Sequence, residues 1–329
     1  MPSILLFGVT GLVGCKFLLA SHVVLALKEE YPNLPVTVFL RNNALDVYLY
    51  ETAGVQRIVH GTFDERDKII ALAKEHDVVI NVGSSWDVPL SEAIVEGLNQ
   101  QPETKKKTLM HMSGAGNFVD KRWTDGAFHP EAKIWDDNNP EDMKLINPSM
   151  LNGGPDTVIL NAGKRGKIGT YIVFPSGIYG EAAGPVPALG VVQLIFREKA
   201  KELGFVPYIG EGSAIFNCLH VNAIAPFMLK VLDLALQDDT PQGSVYERCF
   251  LIGGEEIPWK NASEAFAKVL HTEGLVPSPQ ARSVTLEEAG EGELPMLMAS
   301  NVMFASRRAE KLGYKHNEVG LVEFLSQSR

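Results

Sequence analysis

The sequence predicts an α/β fold in which helices cover both faces of a doubly wound parallel sheet. Short, continuously apolar runs alternate with helix-like segments from Ile4–Phe7 onward, and such runs are typical of strands that are buried on both faces. Most of these runs end in small or polar residues, at the edge where sheets of this kind bind ligands. The 329 residues are enough for this domain and a second, smaller one.

Charge and cysteine content narrow the possible partners. The chain has 40 acidic and 30 basic residues, a net charge of −10, which argues against a nucleic-acid partner. No window approaches the ~20 apolar residues of a membrane span, so we expect no membrane partner. Cys15, Cys218 and Cys249 lie far apart, so we expect no disulfide framework, no metal site and a reducing, cytoplasmic location.

The first strand leads into a glycine-rich turn and then a helix. Ile4–Phe7 is followed by Gly8-Val-Thr-Gly11-Leu-Val-Gly14, and Cys15–Leu27 has a helical pattern. Glycines at such a turn allow a pyrophosphate to approach the backbone at the positive end of the helix. This context predicts a dinucleotide site, although a tight turn without a ligand has the same glycines.

The alternation of strands and helices then repeats along the chain. The predicted elements are, in order, strand Val36–Leu40, strand Gln56–His60, helix Asp67–Glu75, strand Asp77–Asn81, helix Leu90–Leu98, strand Thr108–Met112, strand Thr170–Phe174 and helix Val191–Leu203. Right-handed crossovers between such units give a Rossmann-type sheet.

The residues after the second strand indicate which dinucleotide binds. A site for NAD usually has Asp or Glu there, to accept hydrogen bonds from the ribose hydroxyls. This chain has Arg41-Asn42-Asn43 and no acid. A guanidinium suits the 2′-phosphate of NADP(H) in charge and shape, so we predict NADP(H); an arginine that merely faces solvent is the alternative.

Several motifs, in this order along almost the whole chain, resemble the extended and atypical short-chain dehydrogenase/reductase superfamily. The resemblance is closest to its epimerase/dehydratase-like and nitrogen-metabolite-repression-regulator-like branches, which are common in filamentous fungi. The motifs are Gly8-x-x-Gly11-x-x-Gly14, Asn81-Val-Gly83, His111-Met-Ser113-Gly114, Ile172-Val-Phe-Pro175-Ser-Gly-Ile-Tyr179-Gly180, Leu219-His220-Val221-Asn222 and Ser306-Arg-Arg-Ala-Glu-Lys-Leu-Gly313-Tyr.

The resemblance implies a set of cofactor contacts and a division of the chain. Positions 1–180 with 216–238 form the dinucleotide-binding Rossmann domain, and 181–215 with 239–329 form the substrate-binding lobe. The implied contacts are Gly8, Thr10, Gly11, Leu12, Val13 and Gly14 with the pyrophosphate; Arg41 and Asn42 with the adenosine ribose; Thr62 and Phe63 with the adenine; Asn81, Val82 and Gly83 with the middle of the cofactor; and Pro175, Ser176, Gly177 and Ile178 with the nicotinamide.

The chain lacks the Tyr-x-x-x-Lys pair by which reductases of this superfamily normally move a proton. No tyrosine has a lysine four residues later. Ser113, Tyr179 and Lys133 are the remaining catalytic candidates. Their alternative roles are a turn cap for Ser113, core packing for Tyr179 and a solvated charge for Lys133. Asp156 is predicted to cap or start a helix after Pro155, and the resemblance implies that His220 is structural.

These observations predict an NADP(H)-dependent reductase of atypical mechanism that acts on a small or medium apolar carbonyl or enone in secondary metabolism. The apolar positions that could line its pocket are Trp135, Phe174, Leu189, Phe196, Phe216 and Phe304. Two alternatives stay open: a non-redox isomerase, cyclase or lyase, and a non-catalytic NADP-sensing regulator with a protein partner.

Overall fold

A seven-stranded parallel sheet forms the centre of the computed structural model, which describes residues 2–8, 19–182, 188–237 and 243–327. The strands, in chain order, are β1 Ile4–Phe7, β2 Val36–Leu40, β3 Arg57–His60, β4 Val78–Asn81, β5 Thr108–Met112, β6 Ile134–Asp136, β7 Gly169–Pro175, β8 Gly177–Tyr179, β9 Glu181–Ala182, β10 Ala188–Leu189, β11 Pro207–Ile209, β12 Ile215–His220, β13 Cys249–Ile252, β14 Glu255–Pro258, β15 Arg282–Val284 and β16 Met303–Ala305. The order in the central sheet is β13-β7-β5-β4-β1-β2-β3.

Helices cover both faces of this sheet and continue among the short strands of the C-terminal part of the chain. They are α1 Leu19–Glu30, α2 Asp46–Glu51, α3 Arg66–Glu75, α4 Val88–Asn99, α5 Pro140–Lys144, α6 Gly153–Lys164, α7 Val191–Leu203, α8 Ile224–Gln237, α9 Trp259–Thr272, α10 Glu293–Ala299, α11 Arg307–Lys311 and α12 Leu321–Gln327, with a 3-10 turn at Ala115–Phe118. None of the helices in these described ranges is long and apolar enough to cross a membrane.

Strand alternation divides the apolar side chains between two cores. Leu5 and Phe7 of β1 belong to the core under α3, α4 and α6, while Ile4 and Leu6 belong to the core under α1 and α8. Because successive strand residues point to opposite faces, a strand that is apolar throughout is stable only between two helical layers. The predicted doubly wound sheet is therefore confirmed.

The smaller lobe has short strands that pair across long distances in sequence. β12 pairs with β8 in parallel and with β14 in antiparallel fashion, and β11 pairs with β15. The predicted chain division differs from this arrangement in two places. β13 lies within 239–329 but pairs with β7 in the central sheet, and β12 crosses the predicted boundary at 215–216 and pairs in the smaller sheet.

Candidate functional site

The carboxyl ends of β1 and β4 approach each other closely at the predicted cofactor edge. Gly8, directly after β1, has φ +103°, and a Cβ there would lie 2.4 Å from the Cα of Gly83. Both the backbone conformation and the lack of space require glycine. The predicted pyrophosphate contacts Thr10, Gly11, Leu12, Val13 and Gly14 lie outside the described residues.

Arg41 and Asn42 follow β2 at the same edge. The Asn42 side chain accepts a hydrogen bond from the backbone N–H of Ala44 at 3.1 Å and is exposed. No described residue forms an ion pair with Arg41, which is half-buried. A guanidinium without a protein carboxylate is free to bind an anion.

Thr62 and Phe63 follow β3, the outermost strand on this side. The Thr62 backbone N–H donates to the carboxylate of Glu65 at 2.6 Å. The Phe63 ring packs against Phe7 and stacks on Phe39, with ring centroids 6.4 Å and 6.3 Å away. It also lies under Gly83, where an added Cβ would be 2.8 Å from its ring. Phe63 thus packs beneath the β1–β4 edge. That it contacts the adenine of a bound dinucleotide stays a prediction.

Two serines follow the neighbouring strands β5 and β7. Ser113 lies directly after β5, and its backbone N–H donates to Val173 of β7 at 2.9 Å. Ser176 follows β7 and is 3% exposed, and its hydroxyl has no hydrogen-bond partner among the described residues. Because a buried hydroxyl without a partner is costly, Ser176 is a group that a bound ligand could satisfy. It is one of the predicted nicotinamide contacts.

Helix α6 places the carboxylate of Asp156 next to Ser113. Asp156 lies three residues before Ile159 and four before Leu160, so the three share the buried face of the helix. The helix begins at Gly153, where a Cβ would lie 1.8 Å from the carbonyl oxygen of Asn147. The prediction that Asp156 caps or starts the helix is therefore wrong. Pro155 lies in the first turn, where proline is tolerated, and Asp156 follows it into the protein interior.

A continuous hydrogen-bond network surrounds the fully buried Asp156. Its Oδ2 accepts from the Ser113 hydroxyl at 2.7 Å and from the Asn117 amide at 2.6 Å. The Asn117 Oδ1 accepts from the backbone N–H of Asn152 at 2.8 Å, and the Asn152 amide donates to Ser85 Oγ at 2.9 Å. The network thus joins α6 to the loops after β4 and β5.

His111 lies on the other side of the carboxyl group, with its Nε2 3.5 Å from Asp156 Oδ1. Asn81 determines which imidazole nitrogen carries the proton. Because Asn81 Oδ1 accepts from the backbone N–H of Gly83 at 3.0 Å, its Nδ2 is the atom 3.2 Å from His111 Nδ1. An amide NH₂ can only donate, so the neutral imidazole has its proton on Nε2, which faces Asp156.

Burial disfavours the charged form of both titratable groups. It raises the pKa of Asp156 to about 7, although the hydrogen bonds from Ser113 and Asn117 oppose this rise. It also lowers the pKa of His111 to about 3. Both shifts are those expected of charges removed from water. Near neutral pH the imidazole is therefore neutral, and its contact with Asp156 is not an ion pair.

Tyr179 and Lys133 have protein partners that argue against the predicted catalytic roles. Tyr179 is buried, its hydroxyl donates to the carbonyl oxygen of Val319, and burial raises its pKa. Lys133 Nζ is 2.7 Å from Asp142 Oδ1 and 4.8 Å from the Trp135 ring centroid. Tyr179 is therefore placed as a core-packing residue, and Lys133 as the partner of an ion pair. His220 packs edge-on against the Tyr179 ring, and the structural role that the resemblance implies for it stays a prediction.

The predicted apolar pocket residues mostly form packed core. Trp135, Phe174 and Phe304 each meet the ring of Phe118 edge-on, with centroids 5.1–5.2 Å apart. Phe196 and Phe216 stack on other rings of the smaller lobe, and Leu189 is half-buried. A groove of about 360 Å³ lies elsewhere, between the segments 124–125, 209–210 and 283–288, and includes none of the network around Asp156.

Sequence reasoning missed the roles of His111, Asn117, Asn152 and Asp156 in this network. Asp156 had a usable signal, since an acid on the apolar stripe of a helix points into the core. The other three depend on contacts between loops that are distant in sequence.

Comparisons with known proteins identify the fold. No protein-family model matches the chain. The curated "Oxidase ucsJ" of Acremonium sp is 20% identical in an alignment over 296 residues that covers 86% of this chain and 82% of the oxidase. The UDP-glucose 4-epimerase of Thermotoga maritima with UDP-glucose has a TM-score of 0.63 and 14% identity, covering 98% of this chain and 96% of that one. The dTDP-glucose 4,6-dehydratase of Bacillus anthracis with NAD has a TM-score of 0.61 and 16% identity, covering 99% and 96%.

Proposed function

Because the chain has the fold of the extended short-chain dehydrogenase/reductases, we propose that it is an NADP(H)-dependent oxidoreductase of atypical mechanism. Its substrate is a small or medium apolar carbonyl or enone, in secondary metabolism. The similarity to the curated oxidase supports redox chemistry. The chain acts in the cytoplasm and needs no metal.

The fit of the described residues to a dinucleotide supports the cofactor. The β1–β4 edge at Gly8 and Gly83 has no room for side chains, as close approach of a ligand to backbone requires. Arg41 offers a guanidinium for the 2′-phosphate, and Ser176 a hydroxyl near the nicotinamide. Asn81, Val82 and Gly83 would border the middle of the cofactor. When bound, NADPH supplies the hydride, and the protein supplies position and a dry site.

The single observation that favours NADP(H) is Arg41 directly after β2, where a site for NAD usually has an acid; no described residue forms an ion pair with it. Replacing Arg41 by alanine should weaken NADPH binding about 10- to 100-fold, because charge-assisted hydrogen bonds contribute about 1.5–3 kcal/mol. NADH affinity should change less than about twofold, because NADH has no 2′-phosphate. Calorimetric titration of both nucleotides measures the difference.

Arg57→Ala is the matched control for this experiment. Arg57 begins β3 at the opposite edge of the sheet and forms an exposed ion pair with Glu75 at 2.8 Å. Arg57→Ala should leave the affinities for NADPH and NADH unchanged. Equal NADPH affinity in the wild type and Arg41→Ala would contradict the assignment.

A reaction without net redox change is the second candidate. The similar solved structures are named as an epimerase and a dehydratase, and the chain lacks the usual Tyr-x-x-x-Lys pair. Such an enzyme should convert its substrate with no lasting change in NADPH absorbance, whereas a reductase should consume NADPH in proportion to product. A regulator should bind NADP(H) without turnover.

A further inference from the structure

Oδ2 of the buried Asp156 carboxyl takes part in the hydrogen bonds of the network, whereas Oδ1 has no hydrogen-bond partner among the described residues. His111 Nε2–H faces Oδ1, because Asn81 holds the imidazole in that tautomer. The Asn117 amide can only donate to Oδ2, since its own oxygen accepts from Asn152. Ser113 Oγ is the remaining neighbour of Oδ2, and a hydroxyl can accept as well as donate.

The direction of the Ser113–Asp156 hydrogen bond therefore depends on the charge of Asp156. When the carboxyl is ionised, the Ser113 hydroxyl donates to it. When it is neutral, Asp156 donates from Oδ2 to Ser113 Oγ, and the Ser113 hydrogen points elsewhere. Ser113 follows β5 at the edge where the cofactor and substrate are proposed to bind, so this hydrogen becomes available to a ligand oxygen.

We propose that Asp156 stores the proton that Ser113 delivers to an oxygen of the bound substrate, and that Asn117 holds the carboxyl in the geometry for this transfer, with His111 packed beside Oδ1. Ser113 is the catalytic residue, because it alone of these touches substrate, and Asp156 acts through it. The assignment rests on the proposed active site at this edge. It gives the chain a proton source where the superfamily has Tyr-x-x-x-Lys.

The transfer is balanced in protons and charge. As negative charge develops on the substrate oxygen, the Ser113 O–H bond breaks and an O–H bond forms on the substrate. The Asp156 O–H bond breaks and Ser113 regains its hydrogen, which leaves Asp156 as the carboxylate. After product release one proton from water, passed back through Ser113, restores the acid.

The surroundings of Asp156 favour an acid that titrates near neutral pH. The groups that face it are His111 from β5, Ser113 directly after β5, Asn117 from the 3-10 turn, and the Cys249 thiol from β13, whose pKa is raised by burial. No described lysine or arginine pairs with the carboxylate, so no cation offsets its desolvation.

Carbon-13 NMR of the carboxyl groups, in protein labelled at aspartate, tests the proposal without cofactor or substrate. Of the signals that titrate near neutral pH, one should be missing in Asp156→Asn and is then assigned to Asp156. In Ser113→Ala its pKa should rise by about 0.5 or more, because the hydrogen bond that favours the ionised form is lost. The proposal would be overturned if the Asp156 carboxyl titrated below pH 5, or if Ser113→Ala left its pKa unchanged. Ser113→Ala keeps Asp156 and Asn117 in place, so the test does not depend on Asp156→Asn folding.

Asp137 provides the matched control for this titration. It is also buried, with its pKa raised to about 6 by desolvation, but it accepts only from backbone N–H groups of Leu251, Arg308 and Ala309. Its signal should disappear in Asp137→Asn and stay unchanged in Ser113→Ala.

Turnover gives a second arm, with 9,10-phenanthrenequinone and 2-cyclohexenone as apolar probes and NADPH as cofactor. In the wild type kcat should fall as pH rises through the pKa of Asp156, because the acid form is required. Asp156→Asn should lower kcat about 100-fold or more, flatten this profile and leave the NADPH Kd within about twofold. An unchanged pH profile in the variant would contradict the role of Asp156. Failure of the wild type to bind NADPH would instead contradict the proposed function. The NMR titration needs no cofactor, so it tests the Asp156 proposal separately from the proposed function.

Discussion

At the proposed cofactor-binding edge of the sheet, the space next to the backbone depends on single residues, and Gly8 is the clearest case. Its positive φ and its contact with the backbone of Gly83 both exclude a side chain. The glycine pattern in the sequence identified this position. The partner strand that leaves no room for a Cβ follows only from the three-dimensional pairing of β1 with β4.

We predict that Gly8→Ala lowers the free energy of unfolding by about 3 kcal/mol or more, because strain at positive φ and a backbone clash add together. Gly292→Ala is the control: Gly292 has φ +111° but no atom within 4 Å of its added Cβ, so it should lose only about 1–2 kcal/mol. Urea unfolding measures both. Equal losses would show that the approach to Gly83 carries no cost.

Asp156 shows how a residue type can be visible in the sequence while its role is not. Proline before an acid is a common helix start, and this suggested a cap. The helix instead begins at Gly153, because only a glycine fits against the Asn147 carbonyl. That contact depends on the loop before α6, which carries no periodic pattern.

Among the elements, those with continuous apolar runs were predictable. β1, β2 and β5 have the predicted bounds, because a largely apolar run marks both ends of a buried strand. The bounds of α7 were also predicted, from its helical pattern. The short strands of the smaller lobe, such as β8 and β11 with three residues each, were not predicted. Their pairing partners are distant in sequence, and so few residues show no periodicity.

Where β5 meets α6, Asp156 and His111 should have opposite effects on how the free energy of unfolding depends on pH. Asp156 has a raised pKa, so the folded state holds a proton that the unfolded state loses, and stability falls as pH rises from about 4 to about 7. His111 has a lowered pKa, so the unfolded state binds the extra proton, and stability rises with pH from about 3 to about 6.5. In the wild type the two effects largely cancel where these ranges overlap.

Single substitutions should separate the two effects in urea unfolding between pH 4.5 and 8. Relative to wild type, Asp156→Asn should gain stability as pH rises to about 7, and His111→Gln should lose stability up to about pH 6.5. Each slope is at most about 1.4 kcal/mol per pH unit. Parallel curves for all three proteins would mean that neither group has the shifted pKa.

At the scale of the whole molecule, Asp137 joins three distant parts of the chain. Its carboxylate accepts from the backbone N–H groups of Leu251 in β13 and of Arg308 and Ala309 in α11, at 2.7–3.3 Å. The residue itself follows β6, in the insertion between β5 and α6. The central sheet, the insertion and the C-terminal region therefore meet at one buried carboxylate, a role that no local pattern reveals.

Asp137→Ala should cost about 3 kcal/mol of stability, because it leaves buried N–H groups without acceptors. Its neighbour Asp136 is the control, since it forms a more exposed ion pair with Arg307 at 3.2 Å. Asp136→Ala should cost less than about 1 kcal/mol. Thermal and urea unfolding compare the two, and a similar loss in both would contradict the joining role of Asp137.

Binding of NADP(H) to the intact chain is the central claim, and calorimetric titration of the wild-type protein with NADPH, NADP⁺ and NADH tests it most directly. The account predicts saturable binding of NADPH, with a Kd at least about tenfold lower than that of NADH, a difference of about 1.4 kcal/mol. No binding of NADPH or NADP⁺ up to about 1 mM, or tighter binding of NADH than of NADPH, would contradict it.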